Sequence, residues 1–184
     1  NELLHAASRT FALGIDLLPE PLRGELEAAY LLLRVSDYLE DNDRMPDEEK
    51  VELLHRWARI LDGVEAVDTL ASDLASVPDQ TPDALVARNT VQVYSALEDA
   101  RPEVREILIR HVRDSTLGMA RWAQRGPDIR DEADLDDYMH EVAGRVGWLL
   151  TEVFALLVPR VAEDREEMMR LGREFGLALQ SVTV

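Results

Sequence analysis

Residues 22–41 read LRGELEAAYLLLRVSDYLED and form most of a helix that the sequence predicts over 20–41. At about 100° per residue, one side of that helix is apolar at its start and acidic in its last turns. The residues on this side are Leu22, Leu26, Tyr30, Leu33, Asp37 and Glu40, with Asp41 at its edge. An apolar side that ends in carboxylates predicts a packed helix whose final turn lies beside a polar site.

Asp37, Glu40 and Asp41 are spaced so that all three lie close together on the helix. At a helix C-terminus the macrodipole disfavours each anion by about 0.3–1 kcal/mol, and repulsion between like charges adds to this. A hard divalent cation such as Mg²⁺, bound by carboxylates, water and substrate phosphates, offsets both effects. A solvated acidic helix end has the same composition, and among 37 acids in 184 residues such a triplet is expected about once by chance. Spacing alone leaves both interpretations open.

The rest of the chain also has the composition and periodicity of helices. Ala, Leu, Glu and Arg dominate, and no window shows sustained alternation of apolar and polar residues. Helices are predicted over 2–17, 20–41, 46–62, 64–76, 83–99, 102–124, 132–158 and 162–184. Pro and Gly lie mainly between these segments. The prediction is therefore an all-α protein in which residues 1–184 belong to a single domain.

Composition excludes several classes of function. The chain has no Cys, which removes disulfides, thiolate metal sites and Cys nucleophiles. A net charge of −17 argues against nucleic-acid binding and against electrostatic docking on anionic lipid. No window holds the roughly 18 apolar residues of a membrane span, and Asn1-Glu2-Leu3-Leu4 lacks the basic start of a signal peptide. The expectation is a soluble protein of the cytoplasm.

The predicted helix 132–158 contains two internal glycines. Its apolar face holds Tyr138, Val142, Leu149, Val153 and Leu156. Gly144 and Gly147 each cost about 0.5–1 kcal/mol of helix stability relative to Ala. Such residues permit close packing of a neighbouring helix or leave room for a ligand, and both interpretations stay open here.

The end of the chain lacks the usual signals of a helix terminus. Residues 172–184 still carry an apolar pattern at Phe175, Leu179 and Val182, with no Gly, Asn or basic residue to end the helix. The sequence therefore predicts that a helical bundle is truncated at its C-terminal side.

Several separated motifs together resemble the head-to-head prenyl synthases, the family of squalene, dehydrosqualene and phytoene synthases. The first motifs are Ser8-Arg-Thr-Phe11, Leu17-Leu-Pro-Glu20 and Tyr30-Leu-Leu-Leu-Arg34-Val-Ser-Asp37-Tyr-Leu-Glu40-Asp41. The later ones are Gly118-Met119-Ala120, Tyr138-Met-His-Glu-Val142-Ala-Gly144-Arg-Val146-Gly147 and Phe175-Gly-Leu-Ala-Leu-Gln180. They occur in the family's order over nearly the whole chain.

This resemblance implies an isoprenoid-synthase-type helical bundle around a central apolar cavity. It implies that Asp37, Glu40 and Asp41 bind Mg²⁺, with Mn²⁺ as a substitute, and that they act in catalysis with Arg34 and Tyr138. Positions near the substrate match a further set: Ser8, Arg9, Phe11, Tyr30, Arg34, Val142, Gly144, Val146, Gly147, Leu150 and Gln180. The family's second Asp-rich motif follows the position of Gln180, and Thr183 stands where the family usually has Asn.

The implied activity is condensation of two prenyl diphosphates with loss of diphosphate. Asp-x-x-Glu-Asp and Gly118-Met119-Ala120 are more similar to the squalene branch, which uses C15 farnesyl diphosphate; Leu17-Leu-Pro-Glu-Pro21 is similar to phytoene synthases, which use C20 geranylgeranyl diphosphate. NADPH is expected only if squalene is the product, and peripheral membrane contact is expected for product release. A non-catalytic relative that acts as an assembly factor, and an acidic helical interaction module, remain alternatives. The oligomeric state is left open.

Overall fold

The structure is a computed structural model that describes residues 2–126 and 128–181, apart from the side chains of Arg9 and Thr10. The first helices are α1 (Glu2–Ala7), α2 (Arg9–Asp16), α3 (Leu22–Asp41), α4 (Asp47–Leu61), α5 (Val67–Ala75) and α6 (Pro82–Arg88). They are followed by α7 (Thr90–Asp99), α8 (Pro102–Arg125), α9 (Glu132–Met139), α10 (Arg145–Ala155), α11 (Pro159–Glu163) and α12 (Arg165–Ser181). A π-helical segment, His140–Gly144, joins α9 to α10. Helix is the regular secondary structure throughout the described ranges, and the all-α prediction is confirmed.

Two of the predicted helices are each interrupted by a polar residue whose side chain hydrogen-bonds to the backbone. The prediction of one helix over 2–17 is wrong because Ser8 ends α1 and caps α2, where its hydroxyl accepts a hydrogen bond from the Phe11 backbone N–H at 3.1 Å. The prediction over 83–99 is wrong at Asn89, whose amide donates to the Leu85 carbonyl at 2.7 Å. Such local side-chain bonds to the backbone compete with a continuous helix.

The two predicted helices at the C-terminal side also differ from the structure. The helix predicted over 132–158 contains the π-helical segment and ends at Ala155. The last predicted helix, 162–184, is replaced by α11 and α12, which separate at Asp164. The apolar pattern does continue to Ser181, while Val182 and Thr183 lie outside the described residues.

The core is built around α3, α4 and α8, which pack against one another. Trp57 of α4 is fully buried, and its indole N–H donates to the Ser36 hydroxyl of α3 at 3.2 Å. Ser36 in turn hydrogen-bonds with Thr116 of α8 at 2.7 Å. This buried polar chain fixes the three helices relative to one another, and thereby fixes the direction in which the last turns of α3 point.

Within the described ranges, no helix is both long enough and apolar enough to cross a lipid bilayer.

Candidate active site

The acids of α3 differ in how far they are exposed. Asp37 and Glu40 are half-buried, whereas Asp41 is exposed. The apolar residues Leu22 and Leu26, which precede them on the same side of the helix, are buried in the core. The side of α3 thus changes from buried apolar to half-buried acidic, as the sequence pattern predicts, so Asp37 and Glu40 do not lie on an open solvated face.

Arg34 connects Asp37 to a second helix. One guanidinium nitrogen, Nη1, donates to Asp37 Oδ2 at 2.9 Å. The other side of the guanidinium bonds to Asp83 of α6, with Nε at 3.2 Å from Oδ1 and Nη2 at 2.5 Å from Oδ2. Asp83 is the second residue of α6, a helix that Thr81 caps through a bond from the Ala84 N–H at 3.2 Å. Arg34 is therefore held by two carboxylates from different elements.

Tyr138 brings the second family-like motif, which begins on α9, into contact with the acidic turn of α3. Its hydroxyl, on α9, donates to Glu40 Oε1 at 3.2 Å, although the two residues are 98 positions apart. The ring of Tyr138 is packed edge-on against Trp122 of α8, with the ring centroids 5.7 Å apart. The aromatic contact fixes the ring, so the phenol is aimed at the acidic turn of α3.

Burial and crowding of charge shift the pKa values of the site residues. Burial, and to a smaller extent the nearby Asp41, raises the pKa of Asp37 to about 6 despite the opposing effect of Arg34. The pKa of Glu40 is also raised, first by burial and then by Asp41. Burial and the neighbouring carboxylates raise the pKa of Tyr138, which stays a neutral donor near neutral pH. The acidic turn is thus a place where negative charge is poorly compensated.

The residues matched to the substrate entrance lie along the same side of α3. Phe11 of α2 packs against Tyr30, with ring centroids 5.7 Å apart, and is half exposed. Burial raises the pKa of the Tyr30 phenol, against a hydrogen bond with Ser8. The structure therefore brings Ser8, Phe11 and Tyr30 together, one turn of α3 before Arg34. The side chain of Arg9 lies outside the described residues.

The glycines of the second motif lie at a close contact between helices. Gly147 of α10 touches the backbone of Gly172 on α12: a Cβ added at Gly147 would lie 1.8 Å from the Gly172 carbonyl oxygen. A Cβ at Gly144 would lie 2.6 Å from His140 Nδ1. Of the two interpretations that the sequence leaves open for these glycines, the structure shows close packing.

The other residues matched to the prenyl channel lie around this contact. All four of these residues are half-buried: Val142, Val146, Leu150 and, on α12, Gln180. Val142 and Leu150 also pack against the hydrophobic core. The π-helical segment begins two residues after Tyr138 and ends at Gly144. Such segments often occur at functional sites because they change the direction of the side chains that follow.

The donor set of the acidic turn fits part of a site for a hard divalent cation. Carboxylate oxygens are the ligands that Mg²⁺ prefers, and the raised pKa values of Asp37 and Glu40 show that added positive charge would relieve both. Within the described ranges, no group of three or more His, Asp or Glu side chains is already arranged to hold a metal. The turn therefore offers carboxylate oxygens to a divalent cation without completing its coordination.

Two grooves lie away from the acidic turn. One, of about 860 Å³, runs between α1, α3, α6 and α7 near Glu20 and Asp99, at the opposite end of α3. The other, of about 500 Å³, is lined by α8, α10 and α12 near Arg110 and Trp148. Neither is lined by Asp37, Glu40 or Asp41.

Asp83 is not among the residues that the sequence predicts for the site. It is 49 residues from Arg34, and its position just after Pro82 looks like an ordinary acidic first turn of a helix. The signal that could have found it is Arg34 itself, in a largely apolar stretch of helix, because its guanidinium can donate more hydrogen bonds than the Asp37 carboxylate of the same helix accepts.

The family model for squalene/phytoene synthase matches residues 4–184. The chain is 28% identical to squalene synthase of Nicotiana benthamiana, covering 99% of this chain and 41% of that protein. It is 30% identical to squalene synthase 1 of Arabidopsis thaliana, and the match covers 99% of this chain and 42% of that protein. It is also 27% identical to a bifunctional lycopene cyclase/phytoene synthase of Phaeosphaeria nodorum, covering 98% and 30%.

The solved structures give the same result for the fold. A complex of TcSQS with a ligand superposes with a TM-score of 0.77 at 28% sequence identity, covering 97% of this chain and 50% of that one. The chain thus spans about two-fifths of the length of the squalene synthases that it matches, and half of the solved chain. Because the family model covers almost every residue, including both motifs that meet at Glu40 and Tyr138, the chain belongs to the squalene/phytoene synthase family.

Proposed function

We propose that the protein to which this chain belongs joins two prenyl diphosphates head-to-head, with farnesyl diphosphate as its substrate and squalene or dehydrosqualene as its product. The observation that supports this best is the meeting of Asp37 and Glu40 with Arg34 and Tyr138. In that arrangement, carboxylates that need a cation lie beside an arginine and a neutral phenol. A departing diphosphate needs positive charge and hydrogen-bond donors beside it, because they stabilise the negative charge that it takes with it.

The side chains of the site have distinct tasks in this proposal. Asp37, Glu40 and the exposed Asp41 would hold Mg²⁺, or Mn²⁺ in its place. When bound, the metal ion would neutralise the charge that develops on the departing diphosphate. Arg34 adds a second positive group beside the same diphosphate, and Tyr138 donates a hydrogen bond without adding charge.

The reaction that these groups assist can be written with its atoms and charges balanced. The C–O bond of one allylic diphosphate breaks, and the electron pair leaves with the diphosphate, so that a carbocation remains. The double bond of the second substrate attacks this cation, and a proton is lost as a cyclopropane ring closes. The second diphosphate then leaves with its electron pair, and the cation that results rearranges and either loses a proton to give dehydrosqualene or takes a hydride from NADPH to give squalene. Water would quench the cation, so the prenyl chains need apolar surroundings. The proposal assigns this role to Val142, Val146 and Leu150, which are half-buried apolar residues of the second motif and the turn that follows it.

A C20 substrate is the second candidate. The similarity to a bifunctional lycopene cyclase/phytoene synthase supports it, since the identity to that protein, 27%, is close to the 28% found for squalene synthases. Under that alternative the same site takes two molecules of geranylgeranyl diphosphate. NADPH is a cofactor only in the case where squalene itself is made.

The test measures diphosphate release by the full-length protein from farnesyl and geranylgeranyl diphosphate separately, across a titration of Mg²⁺. Asp37→Asn and Glu40→Gln keep the shape of each side chain and remove its charge. We expect each to lower kcat/KM at least about 100-fold, because a group that stabilises the leaving charge is lost. The matched controls are Asp47→Asn and Glu48→Gln in the exposed first turn of α4.

The controls are expected to keep the activity of the unmodified protein. Release that is independent of Mg²⁺, or that survives Asp37→Asn, would contradict the metal assignment. A full-length protein that releases no diphosphate from either substrate would favour the non-catalytic alternative. Identification of the hydrocarbon product, with and without NADPH, then distinguishes squalene from dehydrosqualene and from a C40 product.

A further inference from the structure

The guanidinium of Arg34 is shared between two carboxylates that have different tasks. Asp37 accepts one bond from Nη1 at 2.9 Å, and Asp83 accepts two, from Nε at 3.2 Å and from Nη2 at 2.5 Å. The bond to Asp37 is within one helix, and the bonds to Asp83 cross to α6. Under the proposed function, Asp37 must also bind a cation, so Arg34 and the cation compete for the same carboxylate.

Asp83 is well fixed as an anchor. It is the second residue of α6, between Pro82, which restricts the backbone, and Ala84, which is fully buried. The first turn of a helix also favours a negative charge. The two-bond contact with Arg34 sets the plane of the guanidinium, as paired Arg–carboxylate bonds do.

We propose that Asp83 is a positioning residue, which keeps the Arg34 guanidinium in place while Asp37 exchanges Arg34 for a divalent cation. This inference rests on the proposed function, because it assigns a task to Asp37 as a metal ligand. With Asp83 present, Arg34 keeps a carboxylate partner after Asp37 has turned to the cation. Without Asp83, Asp37 is the only carboxylate left to Arg34 among its described partners, and the cation must displace a stronger pair.

A simpler effect must be separated from positioning. Asp83 is itself negative and acts on Asp37 through space, so its removal weakens attraction of any cation, whatever Arg34 does. The two explanations differ in what happens when Arg34 is absent. An effect that passes through Arg34 disappears in an Arg34→Gln background, while a through-space effect remains.

The experiment measures binding of Mn²⁺ to the full-length protein by electron paramagnetic resonance, with inorganic pyrophosphate present, and separately the Mg²⁺ concentration for half-maximal diphosphate release. Asp83→Asn is compared with Asp68→Asn, which makes the same change at the same position of another helix, since Asp68 is the exposed second residue of α5. We expect Asp83→Asn to raise the half-saturating Mn²⁺ concentration about three- to fivefold, the upper part of the range for an exposed ion pair. In the Arg34→Gln background we expect a change of less than about twofold.

Every other result overturns the inference. An equal rise in both backgrounds means that Asp83 acts only as a charge, and no rise in either means that it has no task at the site. Absence of Mn²⁺ binding to the unmodified protein overturns the inference together with the metal assignment. Mn²⁺ binding that follows the expected pattern, without turnover of any prenyl diphosphate, supports the inference and contradicts only the proposed reaction. Circular dichroism of each variant shows that the fold is kept.

Discussion

Replacing Gly147 with Ala tests whether the second motif is needed for helix packing. The added Cβ would lie 1.8 Å from the Gly172 carbonyl oxygen, whereas real Cβ atoms essentially never approach closer than 3.0 Å. The obstacle is backbone, so no rotation of a side chain relieves it. Helices α10 and α12 must therefore separate by at least about 1.2 Å.

The expected size of the effect is the balance of two costs and one gain in the free energy of unfolding. Overpacking of a tight contact costs about 1–3 kcal/mol, and more where backbone must move. A gap of about 1 Å across the rest of the interface also forfeits part of its dispersion energy. Ala in place of Gly returns about 1 kcal/mol of helix propensity. The net expectation is a loss of about 2 kcal/mol in the free energy of unfolding.

The assay is urea unfolding of the full-length protein followed by circular dichroism. Gly14→Ala is the matched control, because a Cβ at Gly14, inside α2, would meet nothing within 4 Å. That variant is expected to gain about 0.5–1 kcal/mol. If Gly147→Ala is as stable as the unmodified protein, the close contact of α10 with α12 does not exist in solution, and the interpretation of Gly147 as a packing residue is refuted.

Two further predictions concern buried charge. Arg101→Ala removes the side chain that donates to the buried Glu25 carboxylate at 2.7 and 2.8 Å, and we expect a loss of about 2–3 kcal/mol in unfolding free energy at neutral pH. Because Arg101 lowers the pKa of Glu25, the loss of unfolding free energy should shrink on acidification, when Glu25 becomes protonated in both the folded and the unfolded protein. A loss that does not change with pH would contradict this. Asp37→Asn should have the opposite effect on the free energy of unfolding at neutral pH. The folded-state pKa of Asp37 is about 6, above the ordinary 3.8. The contribution of Asp37 to stability is therefore present below about pH 4 and declines as the pH rises through 6. The variant should therefore be more stable than the unmodified protein by about 1 kcal/mol at pH 7.5 and equal to it near pH 4 in thermal or urea unfolding, and a variant that is less stable at both pH values would show that the pKa is not raised.

The helical periodicity of the sequence predicts the class of fold and the face of α3 that becomes acidic. That face is determined by a local rule, the angle between successive residues, so Asp37 and Glu40 can be assigned to it without knowledge of any other helix. The meeting of Glu40 with Tyr138 follows from two motifs that resemble one family, and not from spacing.

The interruptions of the helices could not be predicted in the same way. Ser8 and Asn89 end helices through bonds between a side chain and the backbone, and both residue types also occur inside helices. Asp83 is paired with a residue far away in the sequence, so nothing in its own neighbourhood indicates the pairing. The contact at Gly147 did have a signal, because Gly172 and Gly176 are four residues apart and present one narrow stripe on α12.

The π-helical segment has a consequence for how the gene can change. Its wider turn accommodates one more residue than an α-helix does, between Tyr138, which reaches Glu40, and Gly147, which abuts α12. Deleting one codon within 140–144 would remove that extra residue and restore regular α-helical winding, so Tyr138 and Gly147 should keep nearly the same rotation relative to each other. A deletion in a regular turn of α8 or α10 would instead rotate every following residue of that helix by about 100°, so the π-helical segment is the place where this part of the chain should best tolerate the loss of one residue.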